Sequence, residues 1–215
     1  MKSAPIYLLF MAFQASLAQY TENDWPSRDT WMQPERILEL AQIGPGDKVA
    51  DIGCHEGYMS MHLARTVAQG GIVFAVDIRE DRLKRLAANA SERRLENIVT
   101  VLGRENDPLL PENGLDAVFI VDTYHEMEAY MEVLGHVRNA LKPGGRIIIL
   151  EKLKDYARNK SRDEQTDYHT LSPEYVREEL MAAGFQMMKE VNDLGNWEND
   201  PDKKIWVLLA KVPDL

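Results

Sequence analysis

The chain has one cysteine, Cys54, among 215 residues. That excludes an intrachain disulfide and any zinc site built from several thiolates. Basic charge is in deficit, with 25 Lys and Arg against 35 Asp and Glu and a net charge of −10. Binding to a nucleic-acid backbone is largely neutralisation of phosphates by Lys and Arg, so no nucleic-acid partner is expected. No apolar run approaches the roughly 20 residues that span a bilayer, so no transmembrane segment is expected either. Internal repeats are missing, and so is the Gly-x-Gly-x-x-Gly fingerprint of dinucleotide-binding loops.

What is present is ordinary for a globular chain, with 45% hydrophobic and 28% charged residues. The length suits one α/β domain. The first residues differ from the rest. Lys2, the apolar run Ile6–Phe13 and the small residues of Ser16-Leu17-Ala18 make a secretory signal peptide over residues 1–18, cut before Gln19. The protein is then exported, periplasmic or secreted. The alternative is a cytoplasmic chain with an amphipathic N-terminal helix. Residues 19–33, with Tyr20, Trp25, Pro26 and Trp31, read as an irregular arm before a domain spanning 34–215.

Within that domain strands and helices alternate. Strands are expected at 48–52, 72–76, 98–102, 115–121, 146–150, 185–191 and 205–212. Helices are expected at 34–43, 57–67, 80–95, 126–141 and 173–183, the last capped by Ser172. The stretch Lys152–Tyr168 reads as a charged surface excursion. Leu115–Val121 is nearly all apolar, as befits a central strand buried on both faces. The alternation predicts an α/β fold, a doubly wound and mostly parallel sheet with helices on both faces. Ligands in such sheets bind beyond the carboxyl ends of the strands.

The first strand runs into Asp51-Ile52-Gly53-Cys54-His55-Glu56-Gly57. Gly53 and Gly57 permit a tight turn, and the next helix N-terminus offers free N–H groups. Asp77 follows the second strand, where an acid suits two ribose hydroxyls. Leu141-Lys142-Pro143-Gly144-Gly145 precedes the fifth strand. Together these resemble class I S-adenosylmethionine-dependent methyltransferases over roughly residues 34–212. The stretches Arg28-Asp29-x-Trp31 and Val121–Glu126 look like a bacterial, often exported branch. The resemblance implies a Rossmann-like, seven-stranded sheet with an antiparallel last strand, and S-adenosylmethionine as cofactor. It implies that Asp51 and Gly53 line the methionine end, that Asp77 holds the ribose, and that Asn106 and Asp107 lie near adenine. His55 departs from the family, which has Gly there; its side chain either points away or touches the cofactor.

Methyl transfer needs alignment and, for some acceptors, a base. Asp122, Tyr124, His125 and Glu126 follow the fourth strand, Glu151 ends the fifth, and Tyr168 and His169 precede the last helix. Asp122, His125, Glu151 and His169 are the catalytic candidates. Their spacing carries no metal-ligand pattern, so no metal is expected. The leading function is methyl transfer to a small molecule. The alternatives are a non-catalytic binding protein of the cell envelope on the same fold and, without its glycine fingerprint, an NAD-dependent oxidoreductase.

Overall fold

The structure, a computed structural model, describes residues 22–214. The expected signal peptide lies outside the described residues. Seven strands form one sheet: β1 (Lys48–Ile52), β2 (Ile72–Asp77), β3 (Ile98–Leu102), β4 (Leu115–Val121), β5 (Leu141–Lys154), β6 (Gln186–Asn196) and β7 (Lys203–Lys211). Their order is β3-β2-β1-β4-β5-β7-β6. Every pairing from β3 to β5 is parallel, while β7 runs antiparallel to both β5 and β6. This is the expected Rossmann-like sheet with its antiparallel last strand.

Alternation along the strands divides the interior in two. Ala117, Phe119 and Val121 of β4 and Ile148 and Leu150 of β5 face one core. Val118, Ile120, Ile147 and Ile149 face the other. Helices α1 (Trp25–Met32), α2 (Pro34–Ala41), α3 (Tyr58–Val67) and α4 (Glu80–Glu92) cover the first face. Helices α5 (Tyr130–Ala140) and α7 (Pro173–Ala182) cover the second. A short α6 (Arg162–Asp167) lies between β5 and α7. Strand order reverses between β1 and β4, so their carboxyl ends diverge into a crevice.

Four expectations need correction. The part of the arm that is described is not irregular. Trp25–Met32 is α-helical, because Pro26 occupies the first turn, where its missing N–H costs nothing. Gln33 makes a left-handed joint (φ 52°) into α2. The stretch 152–168 is only partly surface loop: β5 runs on to Lys154, and Ser161 with Glu164 forms a capping box that starts α6. The helix expected from Glu126 begins at Tyr130, after a separate 3-10 turn at Tyr124–Glu126. Ser172 precedes α7 without capping it; its backbone N–H donates instead to Gln165 Oε1 at 2.7 Å.

Candidate active site

A cleft of about 770 Å³ opens above the carboxyl ends of β1, β2, β4 and β5. One end is made mainly of backbone. The N–H groups of Gly53 and Cys54 both donate to Val76 O, at 2.8 and 3.0 Å, tying the loop after β1 to β2. Gly53 has φ 75°, and a Cβ there would lie 2.2 Å from Thr123 Cγ2, so only glycine lets the loop pass the end of β4. Gly57 (φ 99°) does not line the cleft. A Cβ on it would meet Leu86 Cγ at 2.7 Å, so it serves the packing of α4 against the start of α3. Glu56 locks the same loop from below, accepting hydrogen bonds from Arg82 (2.5 Å) and Arg85 (3.0 Å).

Three side chains give this end its charge. Asp51 is buried at the end of β1 and accepts a 2.6 Å hydrogen bond from Ser60 Oγ. Burial pushes its pKa up to about 6, against the pull of the Ser60 hydroxyl and the Arg28 guanidinium. Asp77 accepts the backbone N–H groups of His55 and Arg79, both at 2.9 Å. Arg28 reaches in from α1, its guanidinium 4.3 Å from the centre of the Tyr58 ring and 5.6 Å from that of Trp197. His55 lines the cleft with a left-handed backbone (φ 49°), and burial lowers its pKa.

The other end is made of side chains. Asp122 (φ 54°) forms a buried ion pair with Lys152, whose ammonium stands 4.5 Å from the centre of the Trp197 ring. Glu151, fully buried within β5, accepts the His125 backbone N–H at 3.1 Å and faces its Nδ1 at 2.9 Å. Burial alone would depress the His125 pKa. The Glu151 carboxylate and the hydrogen bonds to Glu126 and Glu151 reverse this and raise it to about 9. Glu126 and His169 complete the wall, with His169 Nδ1 3.2 Å from Glu126 Oε1. Tyr124 is turned away: its hydroxyl donates to Glu179 at 2.8 Å, and burial raises its pKa. Tyr168 stacks edge-on with Tyr156 at 5.3 Å.

The structure therefore brings Asp51, Gly53, His55, Asp77, Asp122, His125 and His169 to one cleft, with Glu151 directly behind His125. It does not bring Asn106 or Asp107. Asn106 donates to Glu132 and Asp107 accepts from the Leu109 N–H, while Arg104, Glu105 and Pro108 line the wall. Arg28, Lys152 and Trp197 carry no signal in the sequence as cleft residues. The sequence places the N-terminal arm and the 152–170 loop over the site without singling out Arg28 or Lys152, and it puts Trp197 in a polar loop. A helical reading of Trp25–Met32 would have placed Arg28, Trp31 and Met32 on one face.

A family model described as "Methyltransferase domain" matches residues 43–204. The chain belongs to the S-adenosylmethionine-dependent methyltransferases. The family's cofactor is S-adenosylmethionine, and its fold is the one described above. The methyltransferase is 32% identical over 112 residues to a Nocamycin O-methyltransferase of Saccharothrix syringae, covering 52% of this chain and 40% of that protein. It is 31% identical over 138 residues to a Demethylmenaquinone methyltransferase of Symbiobacterium thermophilum, covering 63% of this chain and 55% of the relative. The matches thus span about half the length of these curated relatives. A SAM-dependent methyltransferase structure from Aquifex aeolicus superposes with a TM-score of 0.77 at 24% identity, covering 91% of this methyltransferase and 97% of that chain. The Haemonchus contortus phosphoethanolamine N-methyltransferase 2, solved with S-adenosyl-L-methionine, superposes with a TM-score of 0.70 at 16% identity, covering 98% and 62%. No helix among the described residues is long and apolar enough to cross a membrane.

Proposed function

We propose that this protein transfers the methyl group of S-adenosylmethionine to a small molecule bound beside His125. The observation that carries the reading is a single continuous cleft with acids suited to the cofactor at one end and the His125–Glu151 pair at the other. Its volume, about 770 Å³, lies within the range of small-molecule sites, roughly 300–1,000 Å³.

The residues at the first end fit the cofactor. Asp51 and Arg28 put a buried carboxylate and a guanidinium side by side, as a zwitterionic amino-acid tail requires. Asp77 offers a carboxylate to ribose hydroxyls. When bound, S-adenosylmethionine supplies a methyl group already activated for in-line displacement. The chain's own residues then have to align an acceptor and exclude water. Lys152, buried between Asp122 and Trp197, fixes the floor of the acceptor end. Glu151 holds the His125 ring by two hydrogen-bonding groups, backbone N–H and Nδ1, so the ring meets the acceptor in one orientation.

Calorimetry with S-adenosylhomocysteine and with NAD tests the cofactor end. Binding of the first and not of the second is expected; binding of neither would refute the reading. Turnover on a panel of phenolic, thiol and amine acceptors with radiolabelled methyl donor tests the other end. There His125→Ala is expected to lower the rate while leaving S-adenosylhomocysteine affinity within a few-fold.

A further inference from the structure

We propose that His125, Glu126 and His169 form a divalent-cation site at the acceptor end of the cleft. The use of that cation in methyl transfer rests on the reading above; the existence of the site does not.

Distances carry the first part of the case. Glu126 Oε1 lies 3.4 Å from His125 Nε2 and 3.2 Å from His169 Nδ1. The three ligand atoms lie within 4.8 Å of one another. Four ligands about 2.0–2.1 Å from a tetrahedral ion stand roughly 3.3 Å apart along each edge, so two edges of the polyhedron are already set.

The second part is the group behind the ligand. Glu151 accepts from Nδ1–H of His125, so Nε2, which faces Glu126, is the ring nitrogen that gives up its proton when a cation binds. A metal-bound histidine commonly donates its other ring N–H to a carboxylate in this way. Glu151 is fully buried and also accepts the His125 backbone N–H, so it holds the ring from behind, as a carboxylate behind a ligand does. The deeper trio of Asp122, His125 and Glu151 also clusters, but it is spent internally. Asp122 is neutralised by Lys152, and the His125 Nδ1 can serve Glu151 or a metal, not both.

Accessibility is the third part. The Glu126 and His169 side chains are 59% and 65% exposed and face the same cleft, whereas the side chain of His125 is 2% exposed. Three protein ligands on one side leave the remaining positions open toward the acceptor. Two imidazoles and one carboxylate suit a first-row cation such as Zn²⁺, Mn²⁺, Fe²⁺ or Co²⁺ better than Ca²⁺ or Mg²⁺. A cation held there acts as a Lewis acid on an acceptor oxygen. The three ligands come from the 3-10 turn after β4 and the left-handed residue before α7, where His169 has φ 50°. Their spacing in sequence, 125, 126 and 169, matches no regular motif, which is why none was expected.

The test uses the full chain carrying a tag without histidine, stripped with a chelator. Co²⁺ alone is titrated and followed by its visible absorption, with Zn²⁺ as competitor. One Co²⁺ per chain, displaced by Zn²⁺, is expected. E126Q and H169A, both at exposed positions that leave the core intact, are expected to weaken binding at least about tenfold. E151Q is expected to weaken it roughly 10–100-fold, as loss of a partner behind a ligand does. H136A, an exposed histidine elsewhere, is the control and should bind as the parent does. Absence of a Co²⁺ spectrum, or equal binding by E126Q, H169A and the parent, would overturn the proposal and leave an ordinary surface ion pair. S-adenosylhomocysteine calorimetry on the same samples separates the two readings. Cation without S-adenosylhomocysteine binding would sink the methyl-transfer reading alone, and the reverse would sink the cation site alone.

Discussion

The two ends of the cleft are held by different physics. At the cofactor end, backbone N–H groups bridge β1 to β2, and glycine permits a turn that no other residue could make. At the acceptor end, two buried charge pairs, Asp122–Lys152 and His125–Glu151, fix side chains that come from distant segments. The first arrangement depends on local chain geometry, which few residues other than glycine can supply. The second depends on tertiary pairing and can change with each residue exchanged. A family that keeps one cofactor and varies its acceptor is served by this division.

The sharpest way to break the comparison is to disrupt one charge pair. Lys152→Met strips the Asp122 carboxylate of its buried cation. Loss of one partner from a buried pair costs about 3–5 kcal/mol, to be read from urea denaturation. The double variant with Asp122→Asn should recover most of that loss. If the single variant is as stable as the parent, the acceptor end is not held by this pair.

Asp51→Asn probes the cofactor end through pH. The folded-state pKa of Asp51 is raised from 3.8 to about 6. Between those values the folded protein keeps a proton that the unfolded chain has released, so stability falls as pH rises across the window. Above about pH 6 the penalty is complete, about 3 kcal/mol for a shift of this size. Asp51→Asn should therefore be more stable than the parent at pH 8 and equal to it near pH 4, while losing S-adenosylhomocysteine affinity. A variant no more stable at pH 8 would contradict the strain assigned to this carboxylate.

Gly53→Ala should cost about 1–3 kcal/mol, because its left-handed backbone and the contact with Thr123 both resist a methyl group. Binding of S-adenosylhomocysteine should fall with it. The smallest effect is expected from His55→Gly. Relief of a left-handed residue and the entropy of a new glycine nearly cancel, leaving stability within about 0.5 kcal/mol. A large loss of affinity in that variant would show that the ring touches the cofactor.

The difference between the two ends also explains what was legible in the sequence. β1 and β4 match their expected bounds because a buried strand in a parallel sheet is a short apolar run between breaks, and the edge strand β3 matches through its β-branched Ile98, Val99, Thr100 and Val101. Asp51, Gly53 and Asp77 were readable because each sits within two residues of such a strand. Arg28 was not, since a helix whose two flanking prolines resemble breaks hides its buried face. Lys152 and Trp197 were not, since a charged residue continuing β5 and an aromatic in an Asn- and Asp-rich stretch both read as surface. They become interior only when α1 and the β6–β7 turn close over one another, with Trp31 and Trp197 4.6 Å apart. Asn106 and Asp107 rest on the family pattern alone, and the loop after β3 presents Arg104 and Glu105 instead.

The place of β7 has a consequence for how the protein is made. β6 leaves the ribosome before β7, yet among the described residues its one partner in the sheet is β7, which lies between it and β5. Until β7 emerges, β5 is a raw hydrophobic edge and β6 has nowhere to dock. The nascent chain therefore carries a five-stranded parallel sheet whose β5 edge is open to pairing with another copy. A pause in translation between residues 186 and 203 would lengthen that exposure, and a chaperone binding there would shield the edge on which the acceptor end is later built.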